Sequence, residues 1–210
     1  MDGDKPTSEF AKNALMQITE NYKMENVTVK HDVIDAMFRQ IQTTETKTYK
    51  KHSLPGIVFA TEYDLGQNKF AYFDTDIANY DGTQFTPWNK GKVMRNDGVD
   101  IEKCNDTISN GYNVCFIDDS EWLQYTFELN TQKDFDVAIR YSSQTSGGKL
   151  YLEDESGRIS KTITLPTSGN ETNWKTIILK KVALQKGINR IKVHFEKGGF
   201  KLNYFEFLNH

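Results

Sequence analysis

The chain changes its hydrophobic period once. Over residues 1–48 apolar side chains recur every three or four positions. Phe10, Ala11, Ala14, Leu15, Ile18 and Tyr22 share one face, and Val29, Val33, Ile34, Met37, Phe38 and Ile41 share another. That spacing predicts two amphipathic helices, with Thr7 and Thr28 placed to cap them. Helices this short need a surface to cover their stripes: each other, the next domain, or a domain outside this chain. A polar connection from Tyr49 ends in the turn signal Pro55-Gly56. Beyond it the period becomes two. Candidate strands are 57–63, 69–73, 99–104, 112–116, 122–129, 135–141, 149–153, 159–165, 174–179, 188–195 and 200–208. Alternation is plain in Phe135, Val137, Ile139 and Tyr141 and again in Ile191, Val193 and Phe195. Turn residues such as Ser146-Gly147-Gly148 and Lys197-Gly198-Gly199 separate them. The pattern predicts a mainly β protein: an antiparallel β-sandwich of jelly-roll type over residues 55–210, with no helical crossover that would allow a parallel sheet. Residues 1–54 are expected to be a short two-helix segment, either a linker or the tail of a preceding domain.

Composition narrows the function. Lys and Arg number 26 against 29 Asp and Glu, so no positive field exists to attract phosphate backbones, and nucleic acid is excluded as a partner. No apolar run reaches the roughly 20 residues of a membrane span. Residues 1–6 lack the basic and apolar regions of a secretory signal. Cys104 and Cys115 are too few for a disulfide scaffold. They flank a turn, which leaves two readings open: buried thiols, or a bridge across a hairpin. No nucleophile elbow, zinc-protease motif or phosphate-binding glycine loop occurs, and the four histidines show no metal-ligand spacing. No catalytic and no metal-binding residues are assigned.

Several short stretches in order carry a resemblance. They are Tyr63-Asp64-Leu65-Gly66, Ala71-Tyr72-Phe73-Asp74, Met94-Arg95-Asn96-Asp97-Gly98-Val99-Asp100-Ile101-Glu102 and Gly111-Tyr112-Asn113-Val114. They continue with Glu121-Trp122-Leu123-Gln124-Tyr125, Arg140-Tyr141-Ser142-Ser143, Leu165-Pro166-Thr167-Ser168-Gly169 and Gly198-Gly199-Phe200-Lys201-Leu202-Asn203-Tyr204-Phe205. Together they resemble the family 6 carbohydrate-binding modules over about residues 55–208. The resemblance implies a β-sandwich that binds glycan in a cleft between loops at one end. A sugar ring there lies against aromatic side chains, which match its apolar C–H face, while an amide serves its hydroxyl rim.

Carried over position by position, the resemblance puts Trp174 at the family's loop tryptophan. Met94 stands for its usual tyrosine and Lys201 for its usual asparagine. Trp88, Asn173 and Asn203 complete the expected carbohydrate-binding set, with Phe85 and Trp88 as replacements for a missing ring. A lysine at 201 would suit an acidic sugar better than a neutral one. A structural calcium is also implied, but its family ligand positions read Phe59, Thr61 and Asn203. They lack the carboxylates that calcium wants, so no firm cofactor is expected. A second glycan surface would draw on Tyr112, Asn113, Phe116 and Glu121. Trp122 is expected in the core, and Arg95 and Asp100 in structural contacts.

The implied function is a non-catalytic module, not an enzyme, that targets an attached glycoside hydrolase to polysaccharide or oligosaccharide. It would be a monomer joined to that catalytic domain, and secreted, periplasmic or at the cell surface. The alternative is a degenerate module serving as a structural spacer or protein-interaction domain.

Overall fold

The computed structural model describes residues 5–75, 90–91, 93–95 and 97–210; Phe85 and Trp88 lie outside the described residues. The chain divides into two compact units, Met1–His31 and Asp32–His210. The first holds helix α1 (Ser8–Asn21), opened by Thr7, whose hydroxyl accepts from the backbone N–H of Phe10. Helix α2 (His31–Phe38) leads into the second unit and starts two residues later than Thr28 as cap would require.

Within the second unit, α2 presents its polar side inward. Asp35 is buried, while Ile34, Met37, Phe38 and Ile41 are exposed. Arg39 grips both carboxylate oxygens of Asp35 at 2.6 and 2.7 Å and donates to the carbonyls of Leu65 and Glu45. Gln40 adds a bond to Asp35 at 2.9 Å. Charge-assisted bonds of this kind outweigh the apolar stripe in setting the helix rotation. The segment that follows is tied to the sandwich by a bridge between Lys47 and Leu65 and by the amide of Gln124 on the Thr46 hydroxyl.

The strands are β1 (Gly56–Phe59), β2 (Tyr72–Phe73), β3 (Ile101–Lys103), β4 (Tyr112–Val114), β5 (Trp122–Leu129) and β6 (Lys133–Ser142). They continue with β7 (Gly148–Asp154), β8 (Gly157–Arg158), β9 (Ile163–Leu165), β10 (Lys175–Leu184), β11 (Gly187–Lys197) and β12 (Lys201–Asn209). One sheet runs β10-β6-β12-β4-β3, with β1 also on β12; the other runs β2-β5-β11-β7-β8, with β9 also on β7. Every pairing between these strands is antiparallel. The predicted β-sandwich is present.

The inner faces meet where the alternation pointed. Leu123, Tyr125 and Phe127 of β5 and Ile191, Val193 and Phe195 of β11 face Phe135, Val137 and Ile139 of β6 and Phe205 and Phe207 of β12. Tyr125 on Phe205, Phe127 on Phe207 and Phe135 on Phe207 pack edge to face, at centroid distances of 5.6, 5.2 and 5.8 Å. That geometry suits the aromatic quadrupole.

Expected strands 99–104, 112–116 and 159–165 shorten to 101–103, 112–114 and 163–165, and three others differ from expectation, each for a local reason. Strand 57–63 stops at Phe59, and Ala60–Glu62 form a buried 3-10 turn. Its backbone is satisfied by side chains instead of a neighbouring strand: the Tyr125 hydroxyl donates to the Ala60 carbonyl, and the Arg95 guanidinium to those of Tyr63 and Asp64. Strand 69–73 shrinks to Tyr72–Phe73 because Lys69 takes a left-handed backbone (φ 76°). Strand 174–179 runs on to Leu184 through a bulge at Lys180–Lys181, which restores the inward phase at Val182.

The hairpin of β3 and β4 decides between the two cysteine readings. Cys104 pairs with Gly111, and Cys115 pairs with Asp100. The two thiols therefore stand at opposite ends of the ladder. At about 3.3 Å per residue they are separated by more than ~10 Å, beyond disulfide reach. Both are free, and burial pushes the Cys115 thiol pKa well up.

Candidate functional site

All the loops that matter gather at one end of the sandwich. They are the exit of β4, the β6–β7 turn, the β9–β10 loop and the start of β12. Between them lies an open cleft of about 380 Å³, lined among the described residues by Lys90, Glu102, Phe116, Asp118, Glu171 and Lys201, with Ile117, Ser142–Thr145 and Gly199–Phe200 forming the rest. That size falls within the range of small-ligand sites.

Phe116 supplies the apolar surface. It lies two residues beyond the end of β4, and its backbone is left-handed (φ 49°). For a bulky L-residue this conformation costs roughly 1–2 kcal/mol. It turns the ring out of the ladder, leaving Phe116 55% exposed while its neighbours Cys115 and Ile117 are buried. Lys90 Nζ sits 5.5 Å from the ring centroid.

A charge cluster faces the ring. Lys201, at the start of β12, pairs with Glu102 of β3 at 2.7 Å and with Glu171 of the β9–β10 loop at 3.0 Å. Burial pulls the Lys201 pKa down, but the bonds and charges of the two glutamates pull it further up, so it lies above the ordinary lysine value. The loop carrying Glu171 is stapled in place. Ser168 exchanges backbone and hydroxyl bonds with Ser143, and the Asn170 carbonyl accepts from the hydroxyls of Ser142 and Ser168. The Asn170 side chain caps Thr172. Gly198, next to the lining residue Gly199, is held by the carboxylate of Asp119. A site so constrained loses little entropy when it binds.

The residues singled out in the sequence fall in different places. Lys201 lines the cleft. Trp174 is only 9% exposed, its indole N–H donates to Asn105 Oδ1 at 2.8 Å, and it is absent from the cleft lining. It pins the β9–β10 loop to the β3–β4 connection. Met94, with a left-handed backbone (φ 65°), packs against the core. Asn173 gives its amide to the Ser168 carbonyl at 2.6 Å. Asn203 is fully buried, donating to Asp106 and to the Ile108 carbonyl. Trp88 lies outside the described residues.

Of the second-surface candidates, Phe116 is the one that joins the cleft. Glu121 is buried and accepts from Thr75 and the backbone of Asp118, and Asn113 is buried against Glu102. Arg95 is a buried anchor, paired with Asp97 at 2.9 Å and lying over the Tyr63 ring. Glu102, Glu171 and the Ser142–Thr145 turn were missed in the sequence. Glu102 and Lys201 are 99 positions apart, and their meeting depends on β3 and β12 both flanking β4.

The calcium positions fail on donor chemistry. The Phe59 ring packs edge-on against Tyr204 and offers no oxygen. Thr61 accepts from Asn110, and Asn203 contributes one neutral, otherwise unbonded oxygen. The nearby carboxylate, Asp106, is held at two points by Arg140, whose guanidinium would repel a divalent cation. Glu62 gives one oxygen to Lys50 and keeps the other beside His52, and Asp64 is taken by Thr126 and Gln124. This donor set does not fit calcium.

The family model described as carbohydrate binding module (family 6) matches residues 92–209. The chain belongs to this family. Solved structures of such modules are similar to the chain, and the first of them, with a TM-score above 0.5, agrees in fold. A family 6 module from Clostridium stercorarium, solved with cellobiose, is 13% identical; the match covers 77% of this chain and 98% of that one, with a TM-score of 0.54. The module of lichenase 5A from Cellvibrio mixtus, solved with cellotriose, is 28% identical over 54% of this chain and 88% of that one, with a TM-score of 0.49. A β-1,3-glucan-binding module from Bacillus halodurans is 22% identical over 53% and 86%, with a TM-score of 0.46. No curated protein matches the chain. Family 6 modules are binding modules and generally non-catalytic. Among the described residues no helix is long and apolar enough to cross a membrane.

Proposed function

We propose that the loop-end cleft holds a saccharide ring and that the chain is a binding module for polysaccharide or oligosaccharide. Phe116 is the platform: an exposed ring, set out by a strained backbone, matches the C–H face of a pyranose. Lys201, Glu102 and Glu171 surround it with donors and acceptors for hydroxyls. The observation that carries this reading is the exposure of Phe116 within a cleft at the loop end of a family 6 sandwich.

In this role the module keeps an attached glycan-degrading enzyme close to its substrate, outside the cell or at its surface, where such polymers occur. The burial of Trp174 favours a second reading, a structural spacer or protein-interaction domain, since it removes one aromatic ring from the expected sugar contact. The exposed Phe116 weighs against it. Affinity electrophoresis through gels containing xylan, β-glucans, agar or pectins separates the two. Retardation in at least one gel, reduced by Phe116→Ala, is the expected result; unretarded migration in all of them leaves the spacer.

A further inference from the structure

We infer that Glu102 and Glu171 make the cleft select against acidic glycans by serving as its resident anions on Lys201. This rests on the cleft being a sugar site and concerns which sugars it admits. From sequence alone Lys201 looks like a counter-ion for a uronate. In the fold that role is already filled. Its ammonium has three N–H donors, and two carboxylates hold it at 2.7 and 3.0 Å.

Glu102 is anchored through its side chain and the exposed Glu171 through its backbone. Glu102 also receives the Asn113 amide at 3.3 Å, and Glu171 stands on the loop that Ser168 staples to the β6–β7 turn. Among the described residues two ammonium groups line the cleft, Lys90 and Lys201, against three carboxylates, Glu102, Asp118 and Glu171. An incoming uronate or sulfate must displace a fixed carboxylate or sit beside it, and like charges a few ångströms apart repel. A hydroxyl meets no such barrier. It accepts from the remaining Lys201 N–H and donates to a glutamate oxygen. The salt bridge thereby turns a residue suited to charge recognition into one suited to hydroxyl recognition.

The test is calorimetric titration of the whole chain at low ionic strength with a neutral oligosaccharide and with an oligogalacturonate. Three variants accompany the wild type: Glu171→Gln, Glu102→Gln/Glu171→Gln, and that pair combined with Lys201→Ala. The wild type is expected to take the neutral ligand and to ignore the uronate. The paired variant should gain uronate affinity by about tenfold or more, the worth of one charge-assisted hydrogen bond. The gain should vanish with Lys201→Ala and fade with salt. Glu171→Gln alone, at an exposed position, should move in the same direction and covers the case in which the pair unfolds. The inference is overturned if the wild type binds uronate as tightly as the neutral sugar, or if folded Glu171→Gln and the pair gain nothing. If the wild type binds neither ligand class, the cleft is no sugar site and the selectivity falls with it.

Discussion

Replacing Phe116 with glycine separates binding from stability at a single position. The ring is 55% exposed. A phenyl side chain of about 200 Å² therefore offers on the order of 100 Å² to a ligand. If a sugar covers most of that, at about 25 cal/mol per Å² the contact is worth ~2 kcal/mol, or roughly 30-fold in Kd. On the folding side two effects oppose. Glycine relieves the left-handed backbone, a gain of roughly 1–2 kcal/mol. It also loses the buried half of the ring, a cost of similar size, and adds unfolded-state freedom. Phe116→Gly should therefore leave unfolding free energy within about 1 kcal/mol of the wild type while lowering glycan affinity at least tenfold. Denaturant titration and calorimetric binding to a retarding glycan measure the two separately. A variant that binds as well as the wild type would show that the ring is not the platform. One that loses several kcal/mol would show that the ring is a structural plug.

Trp174→Phe should act in the opposite sense. Losing the bond to Asn105 and part of a buried ring is expected to cost ~1–3 kcal/mol in denaturant melts, with glycan affinity changed by less than about threefold in the folded protein. Asp106 provides a pH test. Burial raises its pKa, the bonds from Arg140 and Asn203 lower it further, and the net value lies below the usual carboxylate range. A depressed folded pKa contributes stability above the unfolded value near 4 and loses it as pH falls through the folded value. The drop in melting temperature below about pH 4 should thus be shallower in Asp106→Asn, which starts less stable at neutral pH; an unchanged acid limb would remove Asp106 from that role. Thiol counting under non-reducing conditions should find two free cysteines, with reductant leaving the melting temperature unmoved. Native-state alkylation should reach Cys104 well before the buried Cys115.

Much of the sandwich is written in local alternation. Phe135 to Tyr141 and Ile191 to Phe195 declare their buried faces without reference to anything distant, because a strand's side chains alternate whatever its partner. Glycine and polar turns marked the ends, and the ordered stretches from Met94 to Phe205 pointed to the family. Where the expectations departed, a distant group had intervened. Arg95 captures the carbonyls after Phe59, and Arg39 rotates α2 so that Asp35 faces in and its apolar stripe faces out. An amphipathic pattern states that a face exists, but a buried ion pair can decide which face is used.

The cleft shows the same division more sharply. Residue types at 94, 174 and 201 could be read in the sequence, and Lys201 does line the cleft, but among the described residues the ring that stands exposed there is Phe116, turned outward by a backbone angle that no side-chain pattern encodes. The sequence by itself determined the scaffold and the class of module, because hydrophobic period and turn chemistry are local. Only the tertiary structure decided which side chains share the cleft and what charge they present, because Glu102, Glu171 and Lys201 meet through strand register and loop stapling across a hundred positions of chain.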